Sequence, residues 1–310
     1  MFPYTFVADV LCLTLKDNSH AKQIKSSHSN SCSGSRTASK PAGRFARIIL
    51  DRWFKRTFGE ESRKRLLELL LKELIPEREI ESLTYVRDEH INAFDDGHDG
   101  RIDVECTDKD GSRFMVEMQV RPQSSFYDRA VLYSALGIQQ QVERGIDEYW
   151  LKPMYFIGLM DFSMHENSDQ VLWRYSIRND QDNEELMTDH LHYIFLELPN
   201  CKNALTEKAT ILDNFCYALH NMENLPEKPE GLNEEIFKIL FESAEIATFS
   251  PAERIKYTED MTTERDIRNQ LVYAKKEGKA EAARAMLKEG LPLDLIVKCS
   301  GLSIEEIKKL

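Results

Sequence analysis

Two alternating runs joined by a four-residue turn constrain this chain more than any other feature. In residues 101–107, Ile102, Val104 and Cys106 fall on one side and Arg101, Asp103 and Glu105 on the other. In residues 114–120, Phe114, Val116, Met118 and Val120 alternate with Glu117 and Gln119. Period-two alternation marks a strand with one buried face, and Asp108-Lys109-Asp110-Gly111 between the runs is a turn signal, so the segment predicts a β-hairpin. With the turn centred on Asp110, Asp103 falls directly opposite Glu117. Two carboxylates held that close repel unless a cation or a shared proton compensates. A hard divalent cation takes one or two carboxylates and completes its shell with water and substrate phosphate, so the pair points to a metal-dependent phosphodiester site. Alternation alone equally describes an ordinary solvated hairpin face, with Glu105 as its solvent-facing member.

The wider context weighs on the first reading. VEMQ at 116–119 follows IDV at 102–104 and precedes SSFYDRAVLYSALGIQQQVERG at 124–145, with FKRTFGEE at 54–61 and YWLKPMYFIGLMDF at 149–162. Together these resemble the recombination-promoting nuclease and transposase family of the PD-(D/E)xK nuclease superfamily, over most of residues 51–200. The resemblance implies an α/β fold: a restriction-endonuclease-like core of mixed sheet flanked by helices, followed by a mostly helical C-terminal region. It implies a DNA endonuclease that hydrolyses phosphodiester bonds with Mg²⁺ or Mn²⁺. The superfamily's first acid falls on Asp103 and its second on Glu117, with the backbone carbonyl of Met118 as a third metal ligand. The lysine of the motif falls on Gln119, a departure with physical content. Glutamine donates and accepts hydrogen bonds but cannot neutralise charge, so the implied enzyme is slower, leans more on its metal, or is catalytically silent.

The long helix predicted over 124–144, capped by Ser124 or Ser125 and stopped by Gly145, would pack beside the hairpin. It carries Arg129, which could approach a phosphate, and Gln140, which could hydrogen-bond a base or the attacking water. A purely structural role, with Arg129 paired to a nearby carboxylate, is the alternative. Upstream, eight basic residues (Arg44, Arg47, Arg52, Lys55, Arg56, Arg63, Lys64, Arg65) face only Asp51, Glu60 and Glu61, a local balance of +5 in a chain of net charge −12. Phosphate contacts from Lys and Arg dominate nucleic-acid affinity, so this run is either a DNA-binding patch or a solvated helix face.

The chain of 310 residues is long enough for one medium domain and an accessory region. No apolar run approaches the roughly 20 residues that span a bilayer. The six cysteines are scattered without a C-x-x-C pair, which suits a reducing, cytoplasmic setting and is neither a disulfide framework nor a zinc pattern. His190 and His192 form the one close histidine pair, without the partners a metal needs.

Residues 1–43 are expected as a disordered extension, Ser-rich and without hydrophobic period beyond the first fifteen, and as dispensable for folding. The nuclease-like domain is expected over 44–200, with a leucine-rich amphipathic helix over 61–74, a strand over 81–91, a turn-rich loop over 90–100, a buried central strand over 153–162 and strands over 171–178 and 190–198. A helical region follows over 201–289, with helices at 205–222 and 233–247 and a long charged helix opened by Pro251. A small helix-turn-helix-like hairpin is expected over 290–310, where Gly301 stops one helix and Ser303 with Glu306 opens the next. Its second helix lacks residues that read base edges, so packing or homo-oligomer formation through the C-terminal helices is the favoured role. The competing function is a catalytically silent nuclease fold serving as a nucleic-acid-binding or self-associating module. A carboxylate-pair glycosidase fits poorly, because directly opposed acids lie closer than the about 5 Å of a retaining pair.

Overall fold

Leucines and aromatics at helical spacing, alternating with runs of strand formers, sort this chain into layers. The computed structural model describes residues 43–86, 102–142, 150–165 and 168–310. Helix α1 (Asp51–Phe58) buries Trp53, Phe54, Thr57 and Phe58 along one stripe and ends at Gly59, whose N–H bonds to the carbonyl of Lys55. Helix α2 (Lys64–Leu74) buries Leu66, Leu67, Leu70, Leu71 and Leu74, the stripe that the leucine spacing predicts, and stops just before Pro76, which lacks the N–H a helix needs.

A six-stranded sheet follows in the order β1-β2-β3-β4-β6-β5. Its strands are β1 (Thr84–Tyr85), β2 (Val104–Thr107), β3 (Arg113–Gln119), β4 (Met154–Met160), β5 (Leu172–Ser176) and β6 (Leu191–Glu197). The pairs β3/β4 and β4/β6 are parallel; β1/β2, β2/β3 and β5/β6 are antiparallel. Val104 pairs with Val116 and Cys106 with Phe114, the register about residue 110 that the turn residues predict. Asp108 holds the turn, its Oδ1 accepting the N–H groups of Asp110 at 3.0 Å and Ser112 at 2.9 Å. Gly111 supplies the positive φ of 84° that an L side chain resists. The strand expected over 81–91 is only Thr84–Tyr85; the rest of it and the loop over 90–100 lie outside the described residues.

Both faces of the central strands are covered. On one, α1 and α2 join Val104, Cys106, Phe114, Val116, Ile157 and Leu159 in the larger core. On the other, α3 (Phe126–Gln139), the crossover between parallel β3 and β4, sets Phe126, Ala130 and Tyr133 against Met115, Met154, Phe156 and Phe195. This corrects the expectation of a solvated polar face: Glu105, Glu117 and Gln119 are all buried, because a parallel connection must return over the sheet and brings its helix with it. Residues 143–149, where α3 was expected to end, lie outside the described residues.

The helices after residue 200 pack against the same core. Helices α4 (Ile211–Asn221) and α5 (Glu235–Ala244) contribute Phe215, Leu219, Phe237 and Leu240 to the same core as α1 and α2, and Ala42–Leu310 is one compact unit. Helix α6 (Pro251–Lys288) starts in a capping box of Ser250 and Glu253. Helices α7 (Leu293–Ser300) and α8 (Ile304–Ile307) pack on its far end through Ala283, Ile296, Leu302 and Ile307. Gly301, at φ 66°, ends α7, and Ser303 with Glu306 caps α8 as the sequence predicts.

The basic run serves the fold. Arg44 pairs with Glu245, Arg52 with Asp260, Arg56 with Glu253 and Arg65 with Glu235, while Arg63 and Lys64 pair locally with Glu60 and Glu61. Arg47 is buried and meets Asp161 at 3.1 Å and Glu264 at 3.2 Å. Five of these cations therefore clasp acids of the C-terminal helical half and the segments between them, so most of the local excess of +5 is engaged in ion pairs within the fold. Among the described residues no helix is long and apolar enough to cross a membrane.

Candidate active site

Asp103 immediately precedes β2, and the β2/β3 register places it opposite Glu117 on the α3 side of the sheet. Its Oδ2 accepts the N–H of Met118 at 2.8 Å, which fixes the carboxylate against β3. Glu117 Oε1 accepts the Gln119 amide at 2.9 Å and lies 3.2 Å from Arg129 Nη2. The other oxygen, Glu117 Oε2, is buried with no hydrogen-bond partner among the described residues. A carboxylate oxygen shut away from water without a donor is costly.

Electrostatics tell the same story. Burial, and then the hydrogen bond to Asp51, push the Asp103 carboxyl well above the usual carboxylate range. Burial, and then the charge of Asp103, do the same to Glu117. Two acids that resist ionising side by side can give up their protons when a multivalent cation sits between them. Asp103 also lines a cavity of about 320 Å³ with Gly59, Glu61, Thr84, Tyr85 and Glu105.

The structure brings Asp103, Glu117, Gln119 and Arg129 together, and not Gln140. That residue lies at the other end of α3, where its Oε1 accepts from Arg113 Nη1. Arg113 in turn meets Glu105 at 3.2 Å and the carbonyl of Gly137 at 3.2 Å. Glu105, expected to face solvent, is thus part of a buried network below α3. The Met118 carbonyl accepts the Gln119 amide at 3.2 Å, and a carbonyl oxygen has a second lone pair to offer. His192 stacks on Tyr155 at 4.5 Å and is structural.

Two neighbours of the site were not foreseen. Lys55 Nζ lies 3.2 Å from Asp103 Oδ1 and 2.6 Å from Asp51 Oδ1. The signal was present as Asp51-x-x-x-Lys55, the spacing of an intrahelical ion pair, flanked by Trp53, Phe54 and Phe58. Only the packing of α1's end against β2, where Gly59 approaches Val104, carries it to Asp103.

The model of the PD-(D/E)XK nuclease family transposases matches residues 48–274. The chain belongs to that family. No curated protein and no solved structure matches it. The match runs from just before α1 to the middle of α6. It therefore includes Asp51, Lys55, Asp103, Glu117, Gln119 and Arg129, and leaves α7 and α8 outside.

Proposed function

We propose that this PD-(D/E)XK family transposase is a DNA endonuclease that hydrolyses phosphodiester bonds with Mg²⁺ or Mn²⁺ held at Asp103 and Glu117. The observation that carries the reading is the pair itself: two buried carboxylates on one sheet face, one of whose oxygens, Glu117 Oε2, has no donor. The donor set fits a hard divalent cation. Among the described residues no group of three or more His, Cys, Asp or Glu is arranged to hold a metal; Asp103, Glu117 and the Met118 carbonyl would hold a Mg²⁺ that keeps water and substrate phosphate as its other ligands. Such an ion, when bound, polarises a phosphate oxygen and lowers the pKa of a water ligand.

The chain's own groups set up that chemistry. Asp103 is aimed by the Met118 N–H, and Glu117 by the Gln119 amide and the Arg129 guanidinium. Gln119 orients without adding charge, and Arg129, now 3.2 Å from Glu117, can donate to a phosphate oxygen once that carboxylate turns toward a bound metal ion. The departure of Gln119 from the motif lysine favours the second reading, a catalytically silent nuclease fold that binds nucleic acid or itself. For self-association, α6 presents Leu271, Val272 and Tyr273 to solvent. A cytoplasmic location accords with both readings.

Supercoiled plasmid incubated with Mg²⁺ or Mn²⁺ decides between them. Cleavage by the wild type is expected, abolished by EDTA and lowered by roughly 10²-fold or more in Asp103→Ala, the loss typical of a major transition-state stabiliser. Cleavage that survives EDTA, or a Glu117→Gln variant as fast as wild type, overturns the assignment to this site. Intact plasmid under all conditions favours the silent fold.

A further inference from the structure

Gln119 leaves a nuclease site short of one positive charge, and α1 brings one from elsewhere. We propose that Lys55 is a catalytic residue that contacts the scissile phosphate and supplies the cation that Gln119 cannot, with Asp51 as the positioning residue that holds it there; the proposal rests on the nuclease reading of Asp103 and Glu117.

Four observations converge. Lys55 is the one member of the eight-residue basic run whose partners include a site carboxylate, Asp103 Oδ1 at 3.2 Å; the others are engaged with acids outside the site. That oxygen is distinct from Oδ2, which is committed to the Met118 N–H, so the ammonium approaches the other oxygen of the carboxylate. The approach is open: the side chains of Lys55 and Asp51 are 37% and 71% exposed. An ammonium has three donors, and with Asp51 and Asp103 taking two, one remains for a phosphate oxygen.

Arg129, the other cation of the site, is differently placed. Its Nε and Nη2 atoms are shut off from solvent, and it stands behind Glu117 on the α3 side. It steadies a carboxylate, whereas the Lys55 side chain is 37% exposed beside Asp103. The helix leaves Lys55 little freedom to be elsewhere. Trp53 stacks on Phe249 at 4.8 Å and donates its indole N–H to Asp260 at 3.0 Å, so α1 is locked in rotation. The i,i+4 bond to Asp51 then sets the reach of the side chain.

Relocation of the charge provides the test. Lys55→Gln is expected to slow Mn²⁺-dependent plasmid cleavage by roughly 10²-fold with an unchanged melting temperature. Adding Gln119→Lys in the same chain should restore most of that rate, a rescue that repair of a merely structural ion pair would not give. Asp51→Asn should fall between wild type and Lys55→Gln. A second arm needs no cleavage: with Ca²⁺ in place of Mn²⁺, the affinity of full-length protein for a duplex oligonucleotide is measured against salt. Loss of one phosphate contact should weaken binding several-fold and reduce the slope of log K against log salt by about 0.9.

Lys55→Gln that cuts as fast as wild type overturns the proposal, and so does a double variant as slow as the single one. If the wild type does not cut at all, the nuclease reading fails on its own account. Lys55 then stands as a phosphate contact if the Ca²⁺ arm shows the weaker binding and reduced slope, and falls if affinity is unchanged.

Discussion

Gln119 gives its amide to Glu117 Oε1 and to the Met118 carbonyl, so it restrains a ligand without neutralising anything. Replacing it with lysine puts an ammonium where negative charge develops on the phosphate. Gln119→Lys is expected to keep or raise the cleavage rate and to reach half-maximal activity at lower Mn²⁺, read from initial rates across a metal titration. Loss of all cleavage would mean that the amide has a bonding role a lysine cannot fill. Gly158, paired with Glu117 across β3 and β4, is constrained by space: a Cβ there would lie 2.7 Å from the Phe195 ring and 2.9 Å from the Phe126 ring. Phe126 is the first residue of α3, so a methyl group at 158 pushes on the helix that carries Arg129. Gly158→Ala should cost about 1–3 kcal/mol, the usual range for overpacking, measured by urea unfolding. An unchanged midpoint would show that the rings move aside freely.

At the scale of elements, the ionic clasp between the basic run over 44–65 and the C-terminal half separates buried from exposed pairs. Arg47 is buried among Asp161, Glu223 and Glu264, while Arg65 meets Glu235 in the open. Removing one partner of a buried pair strands the other, so Arg47→Ala should lose about 3–5 kcal/mol. Arg65→Ala should lose no more than about 1 kcal/mol, as exposed pairs do. Urea titrations of the two variants side by side check the contrast, and equal losses would refute it.

These elements also show what the amino-acid order could reveal. The hairpin and its register were legible because alternation and a turn are local, and β4 because its apolar run suits a strand buried on both faces. The burial of Glu105, Glu117 and Gln119 was not, since it depends on where the crossover helix lies. Gln140 was misplaced for a related reason: its helix was identified, but not which end meets the carboxylates. Lys55 was missed because it joins Asp103 across a long stretch of chain. The neutralised basic run was unreadable until its acids on α5 and α6 were brought alongside.

For the molecule as a whole, the network at the end of β4 carries a pH dependence. His220 is held above its ordinary value of 6.5 by its hydrogen bond to Asp161, against the opposing effects of burial and of Arg47, with Glu223 adding a smaller favourable charge. The protonated imidazolium is the form the fold prefers. Its contribution is therefore complete below 6.5 and is lost as pH rises through the higher folded-state value. Stability measured from pH 6 upward should decline more steeply in the wild type than in His220→Gln. Parallel curves would remove His220 as the source.

With most of its basic run paired to acids and a net charge of −12, the protein has little with which to linger on random duplex. A protein that neutralises few phosphates releases few counterions, and its hold on DNA weakens only slightly as salt rises. On the nuclease reading proposed above, long one-dimensional sliding along a duplex is disfavoured, and each encounter is brief.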